Sequence, residues 1–296
     1  MWKGKIYRHS IDGGREDRPP PFFILAPGRS GSTLLRRMIT QHPEITIPPE
    51  SGDAIPQAAM SFLGASTRDR EMKEEEALRT FFCRSDIRYW DLDPAQIQPW
   101  LRDRSPSEKG LIGLYDAIYS TYGRVKEEKR VSHWGDKTPF LLFRMEWLRF
   151  LFPNALFIFL VRDGRDVVNS MLKRRGRGLK EACDRWKLGS RIVLKNHHDK
   201  RSRSVMLFYE EFVNYPERTL SELFERIGTY VPQDLKAYVD KSEKEYGDTV
   251  LEHHRKAKGA VDPENIGLWE KEMKKEERDL VQKELTPALK KLGYRP

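Results

Sequence analysis

Residues 22–38 read FFILAPGRSGSTLLRRM, and the reading of this stretch decides the fold. Phe22–Leu25 is a short apolar run, long enough for one buried strand. Pro27-Gly28-Arg29-Ser30-Gly31 cannot continue that strand. Ser32 and Thr33 suit the opening of a helix, and Leu34, Leu35, Met38 and Ile39 then recur at helical spacing. The stretch predicts strand, glycine-rich turn, helix. Such a turn aims backbone N–H groups and the positive end of a helix dipole at one spot, which suits a phosphate or sulfate. An ordinary βα turn of small residues is the alternative.

The nucleoside-triphosphate loop GxxxxGK[ST] is the natural comparison. Gly31-Ser32-Thr33 stands where GK[ST] would stand, so Ser32 replaces the lysine, and Ala26 replaces the upstream glycine. The cation is Arg29, inside the loop. The stretch reads as an anion cradle of Gly28, Arg29, Ser30, Gly31, Ser32 and Thr33 without the usual ATP chemistry.

The rest of the chain alternates strands and helices, which predicts an α/β fold with a mainly parallel, P-loop-like sheet flanked by helices. We expect one domain over 1–296, with a polar arm over 1–20 and a helical insertion over 53–126 that shapes an acceptor site. Ile45–Ile47 reads as a short strand stopped by Pro48-Pro49, which leaves Glu50 just past a strand end or capping the next helix. In RVSHWGDKTP (130–139), Val131–Trp134 reads as a strand and Thr138 as the N-cap of a helix with Pro139 at its first position. Lys137 then sits at a strand-to-helix corner, facing a ligand or solvent. His133 reads as a base or as a packed histidine.

Leu156–Val161 is the most continuous strand, apolar on both faces as in the interior of a parallel sheet. Arg162 stands at its carboxyl end, with Ser170 and Arg174 one helical turn apart on the helix that follows. Two arginines and a hydroxyl beside a strand end suit a second phosphate. Residues 252–266 read as a basic loop that closes over an anion, or as a plain linker.

The net charge of +9 over 296 residues favours an anionic ligand. The basic residues are mixed with acidic ones rather than gathered into an aromatic-interleaved tract, so nucleic acid is not the expected partner. Cys83 and Cys183 fall in no CxxC or Cys/His pattern, and no metal is expected. No apolar run approaches a membrane span or a signal segment, so no stable membrane insertion is expected and a cytoplasmic location is. Phe62, Trp90 and Trp100 read as core or as the lining of an acceptor pocket.

Three stretches together resemble the PAPS-dependent sulfotransferases, most nearly a bacterial branch related to the protein-tyrosine sulfotransferases. GRSGSTLL (28–35) resembles their 5′-phosphosulfate loop, LVRDGRDVVNSMLKRR (160–175) their 3′-phosphate motif, and the tail from Pro263 to Pro296 the family's end. The resemblance implies 3′-phosphoadenosine 5′-phosphosulfate (PAPS) as donor. It implies Arg29 and Ser30–Thr33 on the phosphosulfate, Arg162, Ser170 and Arg174 on the 3′-phosphate, and Tyr209 of FYEEF near the nucleotide. It also implies Glu50 as base, with His133 as rival, and Lys137 as the catalytic lysine. A gapless match of PENIGLWEK (263–271) puts a donor-binding lysine at Lys271, although Trp269 precedes that lysine rather than following it; Lys258 is the alternative. A nucleotide kinase or NTPase on a divergent loop, or a catalytically silent nucleotide-binding module, is the competing expectation. The acceptor stays open among small molecules, sugars, lipids, carrier-bound chains and peptide tyrosines, and so do O- versus N-transfer and oligomeric state.

Overall fold

The structure is a computed structural model that describes residues 18–64, 66–103, 108–173, 178–244 and 262–295. In chain order it forms β1 (Phe22–Leu25), α1 (Ser32–Thr40), β2 (Ile45–Thr46), α2 (Ala54–Met60), α3 (Arg70–Phe82), α4 (Gln98–Arg102) and α5 (Leu111–Lys126). Next come β3 (His133–Asp136), α6 (Met145–Leu151), β4 (Leu156–Val161), α7 (Gly164–Leu172), α8 (Leu179–His197) and β5 (Arg203–Phe208). The chain continues through α9 (Tyr209–Asn214), α10 (Pro216–Ile227), α11 (Leu235–Lys244), α12 (Leu268–Glu272) and α13 (Lys275–Lys291). The strands form one sheet in the order β2-β3-β1-β4-β5. β3 runs parallel to both β1 and β2, with Phe22 opposite Gly135 and Ile45 opposite His133. This is the α/β class that the sequence predicts. All six residues of β4 are buried, as a strand covered on both faces must be. No described helix is long and apolar enough to cross a membrane.

Contacts divide the chain into two compact units, Met1–Phe23 with His42–Leu156 and Ile24–Gln41 with Phe157–Pro296. The first holds the helical run between β2 and β3. Its core is aromatic: the Tyr119 and Trp134 rings stack at 4.1 Å, and Trp90 meets Tyr119 edge-on at 5.1 Å. Phe62 and Trp90 are fully buried and belong to this core. Trp100 is half-exposed and lies under the guanidinium groups of Arg18 and Arg124, at 5.1 and 5.7 Å.

β3 begins two residues later than the sequence suggests and takes in Gly135 and Asp136. Glycine normally weakens a strand, but here it allows close approach. A Cβ on Gly135 would lie 2.5 Å from the Phe22 ring. Thr138 stands before a 3-10 turn with Pro139 at its start, yet its side chain makes no capping bond. Its hydroxyl is engaged elsewhere. β5 ends at Phe208, and Tyr209 opens α9.

In the second unit, α8 supports two connections at once. A Cβ on its Gly189 would lie 3.0 Å from the Pro27 ring, and Trp186 Nε1 donates to the Arg162 carbonyl at 3.3 Å. The turn after β1 and the end of β4 are thereby held against one helix.

Candidate active site

The turn between β1 and α1 has the cradle geometry. Gly31 caps α1 at φ 89°, in the left-handed region. Its carbonyl accepts from the N–H groups of Leu34 and Leu35, leaving the first-turn N–H groups of the helix directed outward. Ser30 is fully buried and its hydroxyl donates to the Pro27 carbonyl at 2.6 Å, which closes the loop on itself. Arg29 also has a positive φ, 72°, a conformation costly for a side-chain-bearing residue. That turn carries the guanidinium to α7, where Arg29 Nε donates to Ser170 Oγ at 3.1 Å. The loop and the α7 segment, expected from the sequence as two separate candidate anion sites, are joined by one hydrogen bond.

Tyr209 packs on the other side of the loop. A Cβ on Gly31 would sit 2.5 Å from two of its ring carbons. The Arg162 guanidinium lies over the same ring at 4.3 Å, a cation–π contact. Arg162 Nη2 donates to the Asn265 carbonyl at 2.6 Å and stands 3.7 Å from Asp166 Oδ2. Its Nε is buried and has no hydrogen-bond partner among the described residues. A buried N–H of this kind is a donor in want of an acceptor. A phosphate oxygen suits it, so this cluster fits a nucleotide carrying two phosphate ends.

Several residues here gave no sequence signal. Asp166 accepts from the N–H groups of Gly267 and Trp269 at 2.8 and 3.0 Å, fastening the start of α12 to α7. Burial raises its pKa, against the opposing pull of Arg162 and those two N–H groups. Glu210 accepts from the Asp163 N–H at 2.9 Å and from the Tyr294 hydroxyl at 2.8 Å, so the C-terminal tail holds the residue beside Tyr209. Burial also raises the Glu210 and Tyr209 pKa values. None of these contacts follows a hydrophobic period, which is why the sequence hides them.

The second cluster lies in the first unit, at the carboxyl ends of β2 and β3. Lys137 is 1% exposed and its ammonium is paired with the Glu50 carboxylate, whose side chain is 37% exposed. Lysine is almost never fully buried without such a partner. The neighbouring residues are tied as well: the Ser51 N–H donates to Thr138 Oγ1 at 2.8 Å. Beneath them Asp136 is fully buried and accepts from the Tyr119 hydroxyl at 2.6 Å. Burial raises its pKa, and the hydrogen bond from Tyr119 acts the other way.

His133 is buried at the amino end of β3, with Nδ1 2.9 Å from the Ser132 hydroxyl. Four residues of extended chain separate it from Lys137, about 13 Å. Lys271 is exposed on α12. Arg174, Lys258 and residues 252–261 lie outside the described residues.

Gly31 and Gly28 make different demands. Gly31→Ala meets both a positive φ and the Tyr209 ring, and should lower stability by about 1–3 kcal/mol. A Cβ on Gly28 meets nothing within 4 Å, so Gly28→Ala should leave stability near the parent value. Thermal unfolding of the two variants checks this; equal melting temperatures would contradict it.

The sequence matches the Sulfotransferase family over residues 20–233. Protein-tyrosine sulfotransferase 2 of Gallus gallus is 25% identical over 287 residues, covering 94% of this chain and 70% of that protein. Among solved structures, the sulfotransferase domain of the Synechococcus PCC 7002 olefin synthase is similar with a TM-score of 0.62 at 21% identity, over 97% of this chain and 99% of that one. The mouse sulfotransferase SULT7A1, solved with PAP, is similar with a TM-score of 0.50 at 12% identity, over 98% and 91%. At these identities the structural likeness speaks for the fold.

Proposed function

The chain belongs to the sulfotransferase family, and we propose that it moves a sulfuryl group from PAPS to the hydroxyl of a peptide tyrosine, with Glu50 as base. The observation that carries the donor reading is the Arg29–Ser170 hydrogen bond, with Arg162 on Tyr209 beside it. One continuous basic and hydroxyl-bearing lining can take a phosphosulfate at Arg29 and the α1 N-terminus, and a 3′-phosphate at Ser170 and Arg162. A triphosphate reading has no lysine for its terminal phosphates, because Ser32 stands in that place.

When bound, PAPS supplies a sulfuryl group activated on the 5′-phosphate, which takes up negative charge as transfer proceeds. The α1 N–H groups and Arg29 stabilise charge at that position without reorganising. In this reading Lys137, which holds Glu50, is the cation that offers a hydrogen bond to a departing oxygen. Glu50 keeps one side open to solvent, where an acceptor hydroxyl can reach it and surrender its proton. The peptide acceptor is supported by the protein-tyrosine sulfotransferase relatives. Cys83 is an exposed free thiol and Cys183 a buried one, which suits a reducing compartment such as the cytoplasm.

A labelled-sulfate assay tests this reading. Label from PAPS should pass to a tyrosine peptide and not to the same peptide with phenylalanine. Preferred transfer to a simple phenol, a sugar or a carrier-bound alcohol would replace the acceptor. Binding of adenosine 3′,5′-bisphosphate with no transfer to any of them would leave a silent nucleotide-binding module.

A further inference from the structure

Glu50 and Lys137 come from segments 87 residues apart, and each is followed by a hydroxyl residue. Those two hydroxyl residues are where the segments are joined. The Ser51 N–H donates to Thr138 Oγ1 at 2.8 Å, and the two hydroxyl oxygens lie 3.2 Å apart. Ser51 is fully buried and Thr138 is 1% exposed, so water does not compete for the bond. Thr138 has the β-region backbone of an N-cap but makes no bond to the turn it precedes. Its side chain is taken from a local capping role into a cross-link between the ends of β2 and β3. Below the link, Asp136 accepts from the Tyr119 hydroxyl at 2.6 Å. Thr138 Oγ1 accepts from the Ser51 N–H whichever of the two hydroxyls donates to the other.

We infer that Thr138 is a positioning residue for sulfuryl transfer, holding the Glu50–Ser51 segment in the register that brings the Glu50 carboxylate onto the Lys137 ammonium. The inference rests on Glu50 being the base. Glu50 follows Pro48-Pro49 and is partly exposed, so no packed helix or strand fixes its side chain. The peptide N–H of its successor is the nearest point at which the fold can hold it. A threonine can do this and a valine of the same shape cannot, because only the hydroxyl accepts.

The test is a set of variants assayed with PAPS and whichever acceptor gives turnover. Thr138→Val should lower kcat on the order of 10–100-fold, because a small misplacement of a reacting group is costly in rate. Adenosine 3′,5′-bisphosphate binding should be unchanged, since Arg29, Ser170, Arg162 and Tyr209 all belong to the other unit. Thr138→Ser, which keeps the oxygen, should recover most of the loss. In a Glu50→Gln background, Thr138→Val should cost little more, because both act through one carboxylate. If Glu50→Gln lowers kcat but Thr138→Val does not, or the serine variant fails to recover activity, the positioning role is overturned while the base survives. If Glu50→Gln leaves kcat unchanged, the base reading fails, and the positioning role with it. Equal loss of kcat and of bisphosphate binding in Thr138→Val and Thr138→Ser would mark Thr138 as a general fold residue and overturn the inference.

Discussion

Arg162→Ala is expected to weaken adenosine 3′,5′-bisphosphate about 10–100-fold while changing the affinity of the 5′-monophosphate analogue much less. The magnitude is that of one or two charge-assisted hydrogen bonds, about 1.5–3 kcal/mol. The direction follows from placement. Arg162 stands at the end of β4, lies over the Tyr209 ring and has a buried Nε with no acceptor among the described residues. An arriving phosphate oxygen gives that N–H its partner. The same guanidinium donates to the Asn265 carbonyl, so alanine also loosens the segment before α12. Arg162→Lys separates the two effects. It keeps the charge but loses the planar fork and its stacking on the tyrosine. Isothermal titration with both nucleotides should therefore give an intermediate loss for lysine, again confined to the 3′-phosphorylated ligand. Equal losses for both nucleotides would move the 3′-phosphate away from Arg162.

The strand–turn–helix of 22–38 was legible because its signals are local. An apolar run, a glycine-rich break and a helical period each occupy a few consecutive residues, and the structure begins β1 at Phe22 and α1 at Ser32 as they require. β4 was legible for the same reason. The end of β3 was misplaced because Gly135 reads locally as a breaker, and its purpose, room for the Phe22 ring, lies more than a hundred residues away. Thr138 shows the same limit in a polar residue. Threonine before proline is a sound local N-cap signal, and the position is right, but the hydroxyl bonds Ser51. Individual members of the two clusters could be picked out at strand ends. Their partners could not: the Arg29–Ser170 bond spans 141 residues and the Lys137–Glu50 pair 87. Asp166, Glu210 and Tyr294 lie inside stretches that the sequence singles out, but their roles emerge only from the hydrogen bonds they make.

Glu50→Gln is expected to lower kcat on the order of 10²–10⁴-fold, the usual contribution of a positioned base, with nucleotide affinity kept. Glutamine has nearly the shape of glutamate and can still accept a hydrogen bond from Lys137, so the loss reports the missing charge and proton acceptor. The pair is open on the carboxylate side, with Glu50 37% exposed against 1% for Lys137. Because glutamine removes the counter-charge of the buried Lys137 ammonium, the variant should also lose stability, up to the roughly 3–5 kcal/mol of a broken buried pair, so kcat is to be read at a temperature where it is folded. His133 offers no easy substitute, because it lies at the far end of β3 with its Nδ1 against Ser132. His133→Gln should accordingly leave kcat within a few fold of the parent. Lys137→Met gives the complementary result. It leaves the base and removes the ammonium, so kcat should fall on the order of 10²–10³-fold, as for loss of one preorganised donor to a developing anion. An unchanged kcat in Glu50→Gln would assign the proton acceptor to another group, and an unchanged kcat in Lys137→Met would leave the departing phosphate to Arg29 and the α1 N–H groups alone.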